Sequence, residues 1–197
     1  WKFTPEDKMR WQEWDSPWGR GFPGWHIECS AMAIHELGQT IDVHVGGEDH
    51  KMIHHPNEIA QSEAATGKTF ANYWMHVAFL KVDDGKMSKS LGNAYLIDDL
   101  MTKGFYPLAL RYFYMQAHYR STLNFTWEAM QNAQNSLKKL YNLVEGYKED
   151  PQAGLATEYL NKFENAIDDD LNTPRALGIM WDMLKSEVPE ESKLKTL

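Results

Sequence analysis

The sequence predicts an α/β fold in two parts, half of a parallel-sheet domain followed by an all-α region. Three observations carry this expectation. Helical and extended patterns alternate between Trp25 and Val82. Glycines punctuate that alternation at Gly38, Gly46-Gly47 and Gly67. Beyond Asp98 the apolar spacing is helical almost throughout. The 197 residues, 43% hydrophobic and 13% aromatic, can bury at least one sizeable core. Eight Trp, nine Tyr and eight Phe exclude a disordered tail, and no apolar run approaches the roughly 18 residues that cross a bilayer.

Residues 1–24, rich in Trp, Pro and Gly, read as an irregular opening segment with tight turns. The spacing from Trp25 to Leu37 predicts a helix ended by Gly38, and Ile41 to Val45 a short strand entering Gly46-Gly47. A second helix is expected over Ile53 to Thr66, ended by Gly67. Trp74 to Val82 reads as a strand delivering the turn Asp83-Asp84-Gly85. Residues on loops at strand ends are then the candidates for a site, because open α/β sheets bind ligands there. Four helices follow, over Pro107–Gln116, Thr126–Glu145, Leu155–Asp168 and Pro174–Leu184, with residues 149–154 as the linker inside this half. Thr173-Pro174 suits an N-cap and first helical position, and the run Asp168-Asp169-Asp170 reads as a solvated helix end.

A net charge of −8 argues against a broad basic face that grips nucleic acid, while leaving room for one local contact. The single cysteine, Cys29, excludes an internal disulfide and fits a reducing cytoplasm. The chain opens at Trp1 without Met and without a secretory signal, which reads as a fragment boundary.

Two constellations carry chemistry. His54, His55 and Glu58 fall at helical spacings that bring an imidazole and a carboxylate onto one face, and spacing alone does not choose between the histidines. Cys29 on the preceding helix can complete a sulfur, nitrogen and oxygen set of the kind zinc accepts. The second is Lys86-Met87-Ser88-Lys89-Ser90-Leu91-Gly92-Asn93, which presents cations and hydroxyls on a Gly-flanked loop after a strand. Such side chains neutralise the charge that builds on transferring phosphates. No Walker A or dinucleotide fingerprint is present.

The runs Gly24-Trp25-His26-Ile27-Glu28-Cys29-Ser30-Ala31-Met32, Asp42-Val43-His44-Val45-Gly46-Gly47-Glu48-Asp49 and His54-His55-Pro56-Asn57-Glu58-Ile59-Ala60-Gln61-Ser62-Glu63 resemble, in order and spacing, the class I cysteinyl-tRNA synthetases. Lys86-Met87-Ser88-Lys89-Ser90 is similar to the KMSKS signature of class I synthetases without substitution. Arg111-Tyr112-Phe113, His118 to Ser121, Leu123-Asn124-Phe125 and Asp168 to Arg175 extend the resemblance over nearly the whole chain. Pro56 stands where the family usually has Glu, and Met52-Ile53 where it commonly has Phe-Pro; neither departure touches a ligand position. The His-x-Gly-His signature of the class is absent from this sequence.

The resemblance implies the second half of a Rossmann-like catalytic domain over residues 1–97, a helical stem-contact region over 98–150, and the start of a C-terminal helical domain over 151–197. It implies zinc on Cys29, His54 and Glu58, preferring His54 to His55, with a fourth cysteine ligand for which this chain has no residue. Trp25 and His44 would contact the cysteine substrate. Gly46, Gly47, Asp49, Ser88 and Lys89 would bind ATP and its Mg2+, and Lys86 and Lys89 would serve catalysis. The implied reaction joins cysteine to ATP as cysteinyl-adenylate and passes it to the acceptor end of tRNA(Cys), in a cytoplasmic monomer. The chain alone is expected to be incomplete and inactive. A mycothiol-type cysteine ligase and a non-catalytic zinc-binding paralogue are the alternatives.

Zinc suits such a substrate. One atom in an apolar pocket is worth only about 1–3 kcal/mol of discrimination, whereas a metal binds a thiolate and stabilises it far better than it does a serine hydroxyl.

Overall fold

The computed structural model describes every residue except Lys8 and Met9, and the backbone alone of Lys89. It forms two compact units, Trp1–Val77 and Ala78–Leu197.

In the first unit the opening segment is irregular, pinned by antiparallel bridges between Lys2 and Phe22 and between Trp14 and Gly21. Helix α1 (Trp25–Leu37) follows and stops at Gly38. Strand β1 (Ile41–Gly47) leads through a 3-10 turn (Glu48–Met52) into α2 (His54–Thr66), which ends on the left-handed Gly67. Strand β2 (Ala71–Val77) pairs parallel to β1, with Val43 opposite Tyr73 and Val45 opposite Met75. This is the expected β-α-β alternation, because parallel neighbours need a crossover and α2 supplies it.

The interior of this unit is unusually polar. Ser30, His54, His55, Glu58 and Ser62 are buried beside Ile41, Phe70 and Ala71. Burying polar side chains is costly unless they are paired or hold an ion, so this interior is where a candidate site is sought.

The second unit begins with β3 (Leu80–Val82), a turn at Asp83-Asp84 and β4 (Gly85–Lys86), which pairs antiparallel to β3. Both turn residues have positive φ, 48° and 60°, which matches the strand twist of a two-residue hairpin. Helices α3 (Ile97–Thr102) and α4 (Pro107–Met115) come next, then strand β5 (Leu123–Phe125) and helix α5 (Trp127–Val144). Strand β5 runs parallel to β3. Helices α6 (Thr157–Asp168), α7 (Thr173–Lys185) and α8 (Glu190–Thr196) complete the chain.

The apolar core of this unit joins Val82, Leu100, Phe105, Ala109, Tyr112, Phe113, Phe125, Met130, Ala133 and Leu137. Buried Gln134 closes the α3–α4 connection from α5, accepting from the Tyr106 amide at 2.8 Å and donating to the Gly104 carbonyl at 3.2 Å.

Three details differ from the sequence reading. The apolar stretch expected as one strand is divided into β2 and β3, because β2 finds its partner in β1 and β3 in β5. Leu123–Phe125, in the stretch read as helical, is extended for the same reason. The N-cap of α7 is Asn172, whose side chain accepts from the Arg175 amide at 3.2 Å, so the helix begins at Thr173. Among the described residues, no helix is long and apolar enough to cross a membrane.

Candidate active site

Three elements of the first unit converge on one carboxylate. Glu58, one turn into α2, is fully buried. Its Oε2 lies 3.1 Å from His44 Nε2 of β1, 3.7 Å from His54 Nε2 and 3.9 Å from His55 Nε2. None of these approaches has hydrogen-bond geometry, so both carboxylate oxygens are buried without a hydrogen-bond partner. The cost of such a group is of order 1–3 kcal/mol, more when it is charged, and a cation is the usual remedy.

Cys29 of α1, half-buried, completes one set. Ligand atoms of Cys29, His54 and Glu58 lie within 4.8 Å of one another, and so do those of His44, His55 and Glu58. The structure thus brings together the three residues expected to hold zinc, and their sulfur, nitrogen and oxygen donors fit that ion.

The electrostatics suit ligation. Burial pushes the Glu58 carboxyl up, against the pull of His54, His50 and His26. Burial pushes His44 and His54 down. His55 is lowered to about 4, by burial and then by His44, His76, His50 and His54. Near neutrality these imidazoles are uncharged and offer lone pairs, the form in which histidine binds metals. Burial raises the Cys29 thiol, helped by the charges of Glu58 and Glu28, so near neutrality it keeps its proton unless a cation displaces it.

Around these candidate ligands lies an aromatic collar. The Trp25 ring is 4.6 Å from that of His54 and meets His50 edge-on at 5.9 Å, while Trp74 lies against His44 at 4.7 Å and His55 at 4.9 Å. His26 Nδ1 is 2.6 Å from His54 Nδ1, and His76 Nε2 is 2.9 Å from His55 Nδ1. His26, His50, His76 and Trp74 were not singled out from the sequence. Their positions follow from the parallel pairing and the α1–α2 packing, which no local spacing signals.

One glycine of β1, Gly46, has a packing reason. A Cβ on Gly46 would lie 2.6 Å from the His55 ring, and one on Gly47 would lie 2.5 Å from Asp49 Oδ1. Asp49 itself is exposed, in the 3-10 turn.

The second unit carries the lysine loop. Asn93 ties its ends together, donating to the Lys86 carbonyl at 3.0 Å and accepting from the Ser88 amide at 2.8 Å. Ser88 Oγ accepts from the Leu91 amide at 3.3 Å, closing a 3-10 turn over Lys89–Leu91. The Lys86 side chain is exposed; the Lys89 side chain lies outside the described residues. The signal for Asn93 was its place at the loop's end, where Asn caps turns through its own side chain.

Comparison with known proteins bears on the whole arrangement. The fold is similar to part of the LeuRS of Agrobacterium radiobacter K84, seen in a crystal structure of its ternary complex with tRNA and LeuAMS. The TM-score is 0.60 at 14% identity, over 78% of this chain and 24% of that one. This is the fold of a class I synthetase catalytic domain followed by a helical region.

Residues 1–135 match the family of class I (C) tRNA synthetase catalytic domains, to which the chain therefore belongs, and residues 162–186 match the DALR domain. The chain is 51% identical over 191 residues to cysteine--tRNA ligase 1 of Burkholderia lata, covering 96% of this chain and 40% of that protein. It is 48% identical over 190 residues to the cysteine--tRNA ligase of Legionella pneumophila (strain Philadelphia 1), covering 92% and 41%. With that of Treponema denticola it shares 45% identity over 209 residues, covering 93% and 42%. The chain thus spans about two fifths of the length of these curated relatives.

Proposed function

We propose that the chain is the part of a cysteine--tRNA ligase that selects cysteine through zinc and activates it with ATP. The observation that carries this reading is the Glu58 carboxylate, buried without a hydrogen-bond partner and approached by Cys29 and His54. A buried carboxylate so placed suits a bound cation.

Cys29, His54 and Glu58 would hold the zinc, which when bound supplies an acceptor for a substrate thiolate and disfavours a hydroxyl. Trp25, packed on the His54 ring at 4.6 Å, restrains that ligand and with His44 lines the cysteine pocket. Gly46, Gly47 and Asp49 sit beside the nucleotide in this reading. Gly46 and Gly47 carry no Cβ that would crowd it. The cysteine carboxylate attacks the α-phosphorus of ATP, brought in with Mg2+, and pyrophosphate leaves. Ser88, Lys86 and Lys89 counter the negative charge that gathers on those phosphates, and Asn93 holds the loop ends for them.

The cysteinyl group then passes to the terminal ribose of tRNA(Cys). Residues 1–97 serve the activation chemistry, 98–150 the acceptor stem, and 151–197 begin the helical domain. The enzyme works as a cytoplasmic monomer.

The test is made in the full-length protein. Cys29→Ala is expected to lower zinc content and cysteine-dependent ATP–pyrophosphate exchange together, with serine as the control amino acid. Equal zinc content in variant and parent would remove Cys29 from the site. Lys89→Ala is expected to slow adenylate formation while leaving cysteine affinity unchanged; an unaltered activation rate would take Lys89 out of the mechanism.

A further inference from the structure

We propose that His44, His55 and Glu58 form a second, thiol-free position for a divalent cation, exclusive of the one at Cys29 because both use the same carboxylate. Ligand atoms of the three lie within 4.8 Å of one another. A tetrahedral zinc with ordinary bond lengths holds nitrogen and oxygen ligands about 3.4 Å apart. The distances from Glu58 Oε2 to His44 and His55, 3.1 and 3.9 Å, bracket that value.

The rings are already oriented for it. His55 Nδ1 is engaged by His76 Nε2 at 2.9 Å, which directs the other ring nitrogen of His55 to Glu58. A metal-binding histidine is commonly fixed in this way through its second nitrogen. Trp74 holds both His44 and His55 rings from the β2 side. The β1 backbone closes over His55 at Gly46, where a Cβ would lie 2.6 Å from His55 Nε2.

The donor set differs in kind from that of Cys29. Two imidazoles and a carboxylate suit Zn2+, Co2+ or Ni2+ without requiring a soft ligand. Both sets draw on the one buried carboxylate, Cys29 with His54 in one and His44 with His55 in the other. An ion can therefore leave the thiol without leaving the protein. This position lies beyond the zinc set invoked above and stands or falls separately from it.

The probe is Co2+, added to Cys29→Ala and, as a guard against a folding defect, to the folded parent chain whose thiol has been capped with methyl methanethiosulfonate. One equivalent of Co2+ is expected to bind in both, with the visible absorption of four-coordinate cobalt and complete loss of the sulfur-to-cobalt charge-transfer band. Absence of Co2+ binding in the two preparations overturns the proposal. Ring-nitrogen NMR of the capped chain with Zn2+ locates the ion without any core substitution. Coordination shifts are expected at Nε2 of His44 and of His55, and shifts confined to other histidines overturn it. The thiolate band of the uncapped parent reads the Cys29 set on its own, so the two assignments fail independently.

Discussion

At the scale of single residues, Glu58 decides the behaviour of the first unit. A buried carboxylate without a hydrogen-bond partner is costly to the metal-free chain, and the same group belongs to both candidate cation sets. Glu58→Gln removes the charge and keeps the shape. The metal-free variant, unfolded by urea in the presence of a chelator, is expected to be at least as stable as the parent, while its zinc content falls to background. A variant that is destabilised without metal would mean that the carboxylate is satisfied in solution by a contact other than a cation. The candidates themselves were legible, because helical spacing puts a histidine, His54 or His55, on one face with Glu58 and a lone cysteine precedes them; the resemblance named the trio. The choice of histidine was not legible from spacing, and the structure shows why: both rings point at the same oxygen, from neighbouring positions on α2.

At the scale of elements, the α6–α7 connection illustrates what local pattern misses. The three acids there read as a solvated helix end, yet Asp170 is held from across the unit. Arg120 grips it through Nε at 2.6 Å and Nη2 at 3.1 Å, and Tyr119 donates its hydroxyl at 2.5 Å. His118 Nε2 lies 2.9 Å from the Asp170 carbonyl. Asp170 and Leu171 both have positive φ, 57° and 55°, a backbone that non-glycine residues adopt at a cost. The contacts join positions some 50 residues apart, beyond any sequence window. Hydrogen bonds from Arg120 and Tyr119 lower the Asp170 carboxyl to about 2, from an ordinary 3.8. The depressed value means that the unfolded carboxyl takes up a proton first. The clasp therefore stabilises the fold above about pH 4, and its contribution is lost as pH falls through about 2. Acid titration followed by carboxyl NMR is expected to show this midpoint. In Asp170→Asn the step should vanish and the α6–α7 connection should exchange its amides faster at neutral pH. The short strand β5 escaped for a related reason: three residues carry no period, and only pairing with β3 makes them a strand.

At the scale of the whole molecule, the two units differ in what holds them. Residues 78–197 contain a continuous apolar core from Val82 to Leu137. Residues 1–77 bury histidines, serines and a carboxylate in place of much of such a core. Unfolding by urea is expected to occur in two steps, the first unit opening at lower denaturant. Saturating zinc should shift the first step alone, by about 2.7 kcal/mol at a free concentration one hundred times the dissociation constant. Coincident transitions that move together on zinc addition would show that the units fold as one. The alternation that defines the α/β half was readable from the chain because each element is long enough to show its period. The polarity of its interior was not, since it depends on which faces meet.

The parallel pair β1–β2 has one further consequence. Parallel strands are ordinarily covered on both faces, and here α2 lies against the face that carries His44 and Gly46. On the other, Val43, Val45 and Tyr73 are 49%, 56% and 70% exposed. In a concentrated solution these side chains are an adhesive strip, opposed by the repulsion of a net charge of −8. Added salt screens that repulsion and sulfate strengthens apolar association, so light scattering from the chain should climb with ammonium sulfate well before its helices melt. Val45→Lys should keep the same solution clear.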